Sequence, residues 1–405
     1  MKKFVMYGAG NIGRGFIGQV FSDAGYQVGF VDINKEVIGK LNSDNEYPVD
    51  VVSNDGIDER IVKNVYGIDG ADIELVSDEI ASADIMATAI GVNVLKFIAK
   101  PIALGLKKRF ESNKKPFNII ICENLIGADE FLKGLIKEQL PEYVERIDKE
   151  IGFVEASIGR MVPAVPEEKK MGNVLRVYVE PYDILPVDKD AFKGEVPNVS
   201  NLYPYSPFNL FIQRKLFMHN MSHATCAYLG YLKNYNYIYE TIADVDIKYV
   251  AYKCLSQSAL AISKENGVDI SGLLSHAENL IYRFKNVELG DTVERVGKDT
   301  IRKLSSNDRL VGAILLAEKH NLSCEYLCLG VAAGMHFAPS SDERSVELSS
   351  SAKENGVSAT LEKYCGYNGK MISLIENLYN KFSRGEKLTD IINYVEEVSG
   401  KATRV

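Results

Sequence analysis

The segment Phe4-Val-Met-Tyr-Gly8-Ala9-Gly10-Asn11-Ile12-Gly13-Arg14 constrains this chain more than any other. A short apolar run leads straight into G-x-G-x-x-G, and an amphipathic stretch follows. A strand feeding a tight turn and then a helix aims backbone N–H groups at a pyrophosphate. Gly8 allows the turn, Gly10 lets the backbone approach the phosphates, and Gly13 lets helix and strand pack closely. The second apolar run, 27–31, ends at Asp32, 19 positions after Gly13. An acid there grips the ribose 2′-hydroxyl of NAD and repels the 2′-phosphate of NADP. A flexible loop is the alternative for an isolated glycine motif. Here the flanking strand, the place near the chain start and Asp32 all agree. The expected cofactor is NAD, held by Gly8, Ala9, Gly10, Asn11, Ile12, Gly13, Arg14 and Asp32. Lys35 lies three residues beyond the acid.

A chain of 405 residues is long for one core, and two domains are the natural expectation. With 46% hydrophobic and 25% charged residues, the composition is that of an ordinary globular enzyme. A net charge of −8 argues against general nucleic-acid binding. No apolar run approaches the length of a membrane span, and the N-terminus enters the first strand at once, so neither a membrane helix nor a signal peptide is expected. The six cysteines form no C-x-x-C pair, which fits reduced thiols in a cytoplasmic protein.

Strand signals fall at 3–7, 27–31, 84–90, 118–122, 151–156 and 174–180. Helix signals between them fall at 12–24, 34–42, 94–109 and 127–139. This alternation predicts an α/β, doubly wound parallel sheet of Rossmann type. The stretch 50–66 reads as a hairpin excursion. Five prolines between Pro181 and Pro207 break the pattern. Helical spacing then dominates at 208–232, 244–265, 271–284, 307–319, 323–336, 342–354, 370–383 and 387–399. The expected domains are 1–200, which binds the cofactor, and 201–405, mostly α-helical, which carries substrate and catalytic groups. The active site is expected where the helical domain meets the carboxyl edge of the sheet.

The segment Arg214-Lys215-Leu-Phe-Met-His219-Asn220-Met-Ser-His223 opens the helical part. On an α-helix, Lys215, His219 and His223 fall within roughly 80° of one another, with Asn220 somewhat further round. Buried polar groups need partners, so this pattern suits a core helix poorly. The structural alternative is a solvated helix face with two incidental histidines. H-x-x-x-H spacing also occurs at zinc sites. The glutamate of H-E-x-x-H is replaced by Asn220, however, and no third ligand lies nearby, so no metal is expected.

Lys-x4-Asn-x2-His at Lys215, Asn220 and His223 resembles the polyol-specific long-chain (mannitol dehydrogenase) family. So do the opening glycine motif through Gly18, Ile121-Cys-Glu-Asn124, Asp291-x3-Arg295-Val-Gly297, Arg302-Lys303-Leu-Ser305-x2-Asp308-Arg309-Leu310 and Met335-His336-Phe337. The resemblance implies an NAD-dependent, metal-independent oxidoreductase that interconverts D-mannitol 1-phosphate and D-fructose 6-phosphate. Lys215 would be the general acid/base, and Asn124 and Asn220 would donate amide N–H groups to the developing oxyanion. His223 would orient a neighbouring hydroxyl, and His219 would pack behind the site.

Arg295, Lys298, Arg302, Lys303 and Arg309 form a basic cluster in an acidic chain, interleaved with Asp291, Glu294, Asp299 and Asp308. It reads either as a salt-bridged surface or as the source of cations for a substrate phosphate, with Arg295, Arg302 and Lys303 as candidates. Arg14 could serve the cofactor pyrophosphate or the substrate. Two positions depart from the family. Gly159 stands where an aspartate is common, and Ile212 where some relatives place a glutamate. The alternatives are a related polyol or hexuronate dehydrogenase (mannitol 2-dehydrogenase, fructuronate or tagaturonate reductase) and a non-catalytic NAD sensor. A sensor has no need of a base at position 215.

Overall fold

The computed structural model describes residues 1–112 and 115–402. The chain forms two compact units, Met1–Phe211 and Ile212–Val405. Among the described residues no helix is long and apolar enough to cross a membrane.

The first unit carries β1 (Lys3–Tyr7), β2 (Gln27–Asp32), β3 (Glu46–Ser53), β4 (Gly56–Lys63), β5 (Val65–Asp69), β6 (Ile85–Thr88), β7 (Phe117–Ile121), β8 (Ile151–Glu155), β9 (Val177–Val179), β10 (Leu185–Asp188) and β11 (Leu202–Tyr205). Six of them pair in parallel in the order β5-β2-β1-β6-β7-β8. With the β3–β4 hairpin set aside, that is the doubly wound order, whose reversal point lies between β1 and β6. The glycine-rich turn leaves β1 at that point.

Both faces of the sheet are covered. Phe4 and Met6 of β1 enter one apolar cluster with Phe16, Ile17 and Phe30, while Val5 and Tyr7 enter another with Val31, Met86 and Ile119. Alternation of side chains between two buried faces is why β1 reads as an unbroken apolar run. Helices Lys35–Asp44, Ile73–Ser82, Leu95–Glu111 and Ala128–Gln139 connect the strands. Asn34 caps the first of them, accepting the Glu36 and Val37 N–H groups at 3.1 and 3.2 Å, a contribution of about 1 kcal/mol.

Two elements differ from the sequence pattern. The hairpin spans Glu46–Lys63, closing at Ser53 and Gly56, and Val65–Asp69 leaves it to become the edge strand beside β2. The expected last strand at 174–180 is absent from the main sheet. Val177–Val179 instead pairs with β3 in a three-stranded sheet of order β4-β3-β9.

The second unit is helical, with segments Met221–Leu232, Ile238–Ala243, Val245–Asn266, Ile270–Arg283, Val311–Lys319, Glu325–Gly334, Glu343–Asn355, Ile372–Ser383 and Leu388–Ala402 among its elements. Met221–Leu232 runs through its centre, packed by Ile238–Ala243, Val245–Asn266 and Glu325–Gly334. A Cβ on Gly230 would lie 2.2 Å from Thr241 Cγ2, so glycine is what permits that crossing.

Candidate active site

The turn after β1 has the geometry of an anion-binding helix start. Gly8 adopts φ +109°, and a Cβ there would meet the Ala89 carbonyl oxygen at 2.5 Å. A Cβ on Gly13 would lie 2.0 Å from the Gly8 carbonyl oxygen, whereas one on Gly10 would meet nothing within 4 Å. The helix opens at Asn11. Its first backbone bond runs from the Arg14 N–H to the Gly10 carbonyl at 3.0 Å. The N–H groups of Asn11, Ile12 and Gly13 therefore precede any intrahelical partner. Residues Gly13–Gly18 are π-helical, the wider winding that recurs at functional sites.

Asp32 closes the turn from the neighbouring strand. Its Oδ2 accepts the Ala9 N–H at 2.8 Å and its Oδ1 the Asn34 N–H at 3.0 Å. Arg14 is turned the other way. It is buried, Nη1 donates to the Val174 carbonyl at 3.0 Å, and its own carbonyl accepts the Tyr47 hydroxyl at 2.7 Å. Burial lowers its pKa, with Tyr47 and Asp32 opposing.

At the end of β7, Asn124 is exposed and Glu123 is buried. The Glu123 carboxylate receives the Ile90 and Gly91 N–H groups at 3.0 and 2.8 Å. That clamp fixes the loop after β6, and its only sequence signal was an acid at the carboxyl end of a strand. At Gly159, a Cβ would stand 3.2 Å from Cε1 of Tyr182. The tyrosine ring lies over the space that a family aspartate would enter.

In the second unit, Lys215, Asn220 and His223 lie on one unbroken helical run, and Lys215–Asn220 is π-helical. In an α-helix, positions five apart point roughly 140° away from each other. Bonding from i to i+5 brings them close to register. The π segment thus draws position 220 toward position 215, which the α-helical period did not show. Lys215, Asn220 and His223 are half-buried and His219 is buried.

The His223 ring stacks on Phe284, with centroids 4.9 Å apart and planes 15° apart. Its Nε2 lies 3.2 Å from Oδ2 of buried Asp291. The separation is that of an ion pair, while the angle falls short of a hydrogen bond. The other Asp291 oxygen pairs with Arg295. Burial works to raise the Asp291 carboxyl, and His223 and Arg295 outweigh it, leaving it below its ordinary value. His219 is pushed well down by burial, and then by Arg283, His223, His276 and Lys215. His276 falls to about 2, through burial and then Arg214 and Arg283. Among the described residues, no group of three or more His, Cys, Asp or Glu side chains is arranged to hold a metal ion.

The basic cluster separates into two kinds of cation. Arg295 and Lys298 are exposed and line an open cleft of about 1000 Å³ with Tyr231, Tyr235, Tyr237 and Ser341. Arg302 is held by Asp299 at 2.7 Å and Asp308 at 3.0 Å, and Arg309 by Asp308 at 2.7 Å. Lys303 is buried and donates to the Val296 carbonyl. Burial, with Arg309 and Arg302, brings its pKa down to about 7.

The two units match two family models. Residues 2–201 match the mannitol dehydrogenase Rossmann domain, and 208–383 the mannitol dehydrogenase C-terminal domain. A mannitol-1-phosphate 5-dehydrogenase of Thermoanaerobacter pseudethanolicus is 36% identical over 90% of this chain and 94% of its own. One from Caldanaerobacter subterraneus subsp. tengcongensis is 34% identical over 94% and 98%. Among solved structures, the Pseudomonas fluorescens mannitol 2-dehydrogenase, a ternary complex with NAD and D-mannitol, has a TM-score of 0.76 at 16% identity, covering 98% of this chain and 94% of that one. A substrate-free D-sorbitol dehydrogenase has a TM-score of 0.78 at 16% identity, covering 94% and 92%. These two share the fold. On the two family matches and the identity to its relatives, the chain belongs to the mannitol dehydrogenase family and is an oxidoreductase.

Proposed function

We propose that this chain is an NAD-dependent mannitol-1-phosphate 5-dehydrogenase that interconverts D-mannitol 1-phosphate and D-fructose 6-phosphate without a metal. The observation that carries the reading is Lys215, Asn220 and His223 on one helical run, in a chain 36% and 34% identical to two relatives of that name over 90% and 94% of its length.

The glycine-rich turn fits NAD. Gly10 leaves open space, the Asn11–Gly13 amides face outward from a helix start, and Asp32 keeps acceptor capacity beyond its two backbone bonds. Bound NAD supplies the hydride acceptor in oxidation and the donor in reduction. Lys215 takes the alcohol proton in oxidation and returns it to the carbonyl oxygen in reduction. The amides of Asn124 and Asn220 stabilise negative charge on the reacting oxygen. His223 orients the neighbouring hydroxyl. Arg295 leads the phosphate contacts, because it has one acidic partner and lies exposed on the open cleft, whereas Arg302 is shared by two acids and Lys303 is buried. No metal is needed, since a lysine amine carries the proton.

The test follows NADH oxidation by absorbance, with fructose 6-phosphate and free fructose side by side in EDTA. Rapid turnover of the phosphate ester alone supports the reading. Equal turnover of fructose returns Arg295 and its neighbours to a structural role. Turnover of neither directs attention to fructuronate and tagaturonate and to the departure from the family at Gly159.

A further inference from the structure

Asp291 lies 68 residues from His223 in the chain, yet its carboxylate touches both His223 and Arg295. We propose that Asp291 is a positioning residue: it holds His223 in the Nε2–H tautomer, leaves Nδ1 as an acceptor for a substrate hydroxyl, and ties that histidine to the cation that meets the substrate phosphate. The inference rests on the roles of His223 and Arg295 given above.

A neutral imidazole has one N–H and one lone pair. His223 Nε2 is sealed from solvent and faces a carboxylate oxygen at 3.2 Å. A lone pair there would oppose the anion's own lone pairs, so the proton belongs on Nε2. The imperfect angle is common in sites without substrate and tightens on binding. Stacking on Phe284 fixes the plane of the ring, which leaves Asp291 to decide which nitrogen donates.

The two carboxylate oxygens divide the work. Oδ2 serves His223 and Oδ1 serves Arg295. His223 and Arg295 together hold the carboxyl below its ordinary value against burial, so Asp291 stays an anion and orients the histidine without taking its proton. The side chain of Arg295 is 58% exposed and also lines the open cleft. An anion that draws Arg295 toward itself therefore acts on the same carboxylate that sets His223. Phosphate occupancy at one end of the substrate and hydroxyl orientation at the other become linked through one acid.

The experiment records ¹⁵N spectra of the histidine side chains in the whole protein. His223 is assigned by the signal lost in His223→Gln. In wild type, Nε2 should appear protonated and Nδ1 unprotonated at pH 7–8. The reverse tautomer, or an even mixture, overturns the proposal, and this readout needs neither substrate nor a position-291 variant. Asp291→Asn keeps the shape but has a single acceptor oxygen, which Arg295 claims. Its amide then faces Nε2 and should reverse the tautomer. With fructose 6-phosphate, kcat should drop roughly 10- to 100-fold while NADH affinity holds, as for other partners that orient a working histidine. An unchanged tautomer with unchanged kcat also overturns it. If the tautomer is as proposed but free fructose serves as well as its phosphate, the assigned substrate fails and the Asp291–His223 relationship stands. If the phosphate ester turns over and the tautomer is reversed, only this inference fails.

Discussion

Asp32 Oδ2 accepts the Ala9 N–H at 2.8 Å, so the acid ending β2 also braces the turn ending β1. Removing the acid does more than delete a ribose contact. Asp32→Ala frees the Ala9 and Asn34 amides and removes the charge that opposes a 2′-phosphate. NAD affinity should fall about 10- to 100-fold, the worth of one or two charge-assisted hydrogen bonds. The NAD/NADP preference should narrow. Fluorescence titration with NADH and NADPH measures both, and an unaltered preference removes Asp32 from the cofactor site.

Gly10 and Gly13 should respond differently to the same methyl group. At Gly13 the Cβ would lie 2.0 Å from the Gly8 carbonyl oxygen, and rigid backbone cannot yield cheaply. Gly13→Ala should lose about 1–3 kcal/mol of stability. At Gly10 nothing lies within 4 Å, so Gly10→Ala should melt like wild type and yet bind NAD at least about tenfold more weakly. Thermal melts with and without NADH separate the two. A Gly10→Ala protein with full NADH affinity would mean that the pyrophosphate lies elsewhere.

Lys215→Ala should retain NADH binding and lose about 10²- to 10⁴-fold in kcat, the usual share of a positioned acid/base. Because oxidation needs the free amine and reduction the ammonium, wild-type oxidation of mannitol 1-phosphate should rise with pH. Fructose 6-phosphate reduction should fall over the same range. Both slopes should vanish from whatever residual activity the variant shows. Persistent slopes would assign the proton to another group.

What the sequence disclosed was local. The run Phe4–Asp32 carries a strand, a turn, a helix and a second strand within hydrogen-bond reach of one another, so period and glycine spacing were enough. β5 was hidden because Gly67 interrupts its apolar pattern. A Cβ at Gly67 would lie 2.6 Å from the Ile38 carbonyl oxygen, so the glycine answers to a neighbouring helix and not to the strand. β9 was legible as a strand, but period says nothing about which sheet edge receives it. For the proposed site, helical spacing put Lys215, His219 and His223 on one side of a helix, and it was the family resemblance that singled out Lys215, Asn220 and His223. The alignment of Asn220 needed the π winding. The pairing of His223 with Asp291 spans a chain separation that no local pattern reports. Interleaved acids do form the pairs that charge alternation suggested, with Arg302 at the surface and Arg309 buried against Asp308. Asp291 looked the same in sequence and is buried against a histidine.

The cations of the basic cluster should be separable by kinetics. Arg295→Ala and Lys298→Ala open the cleft and should raise KM for fructose 6-phosphate roughly 10- to 100-fold. Arg302→Ala removes a guanidinium already shared by Asp299 and Asp308, and should move KM by less than about threefold. The turnover of any slow non-phosphorylated substrate should be insensitive to Lys298→Ala. A larger KM effect at Arg302 than at Lys298 would move the phosphate to the other face of the cluster.

Lys303 gives a pH signature of its own. Folding lowers its pKa to about 7, chiefly by burial. Between pH 7 and the ordinary lysine range, the unfolded chain carries a proton that the folded chain lacks, so stability gains with rising pH across that window. Below pH 7 both states are charged and the burial penalty is fully present. Lys303→Met removes the penalty along with the bond to the Val296 carbonyl. Relative to this variant, wild type should therefore gain on the order of 2–4 kcal/mol between pH 6.5 and 9.5. Urea unfolding of both proteins at the two pH values measures the difference and cancels other titrating groups. A constant difference would show that Lys303 keeps its proton when folded, held by Asp299 and Asp308 against the effect of burial. Such a lysine would be a permanent cation beside Arg302 and Arg309, and a stronger claimant to the substrate phosphate than its burial suggests.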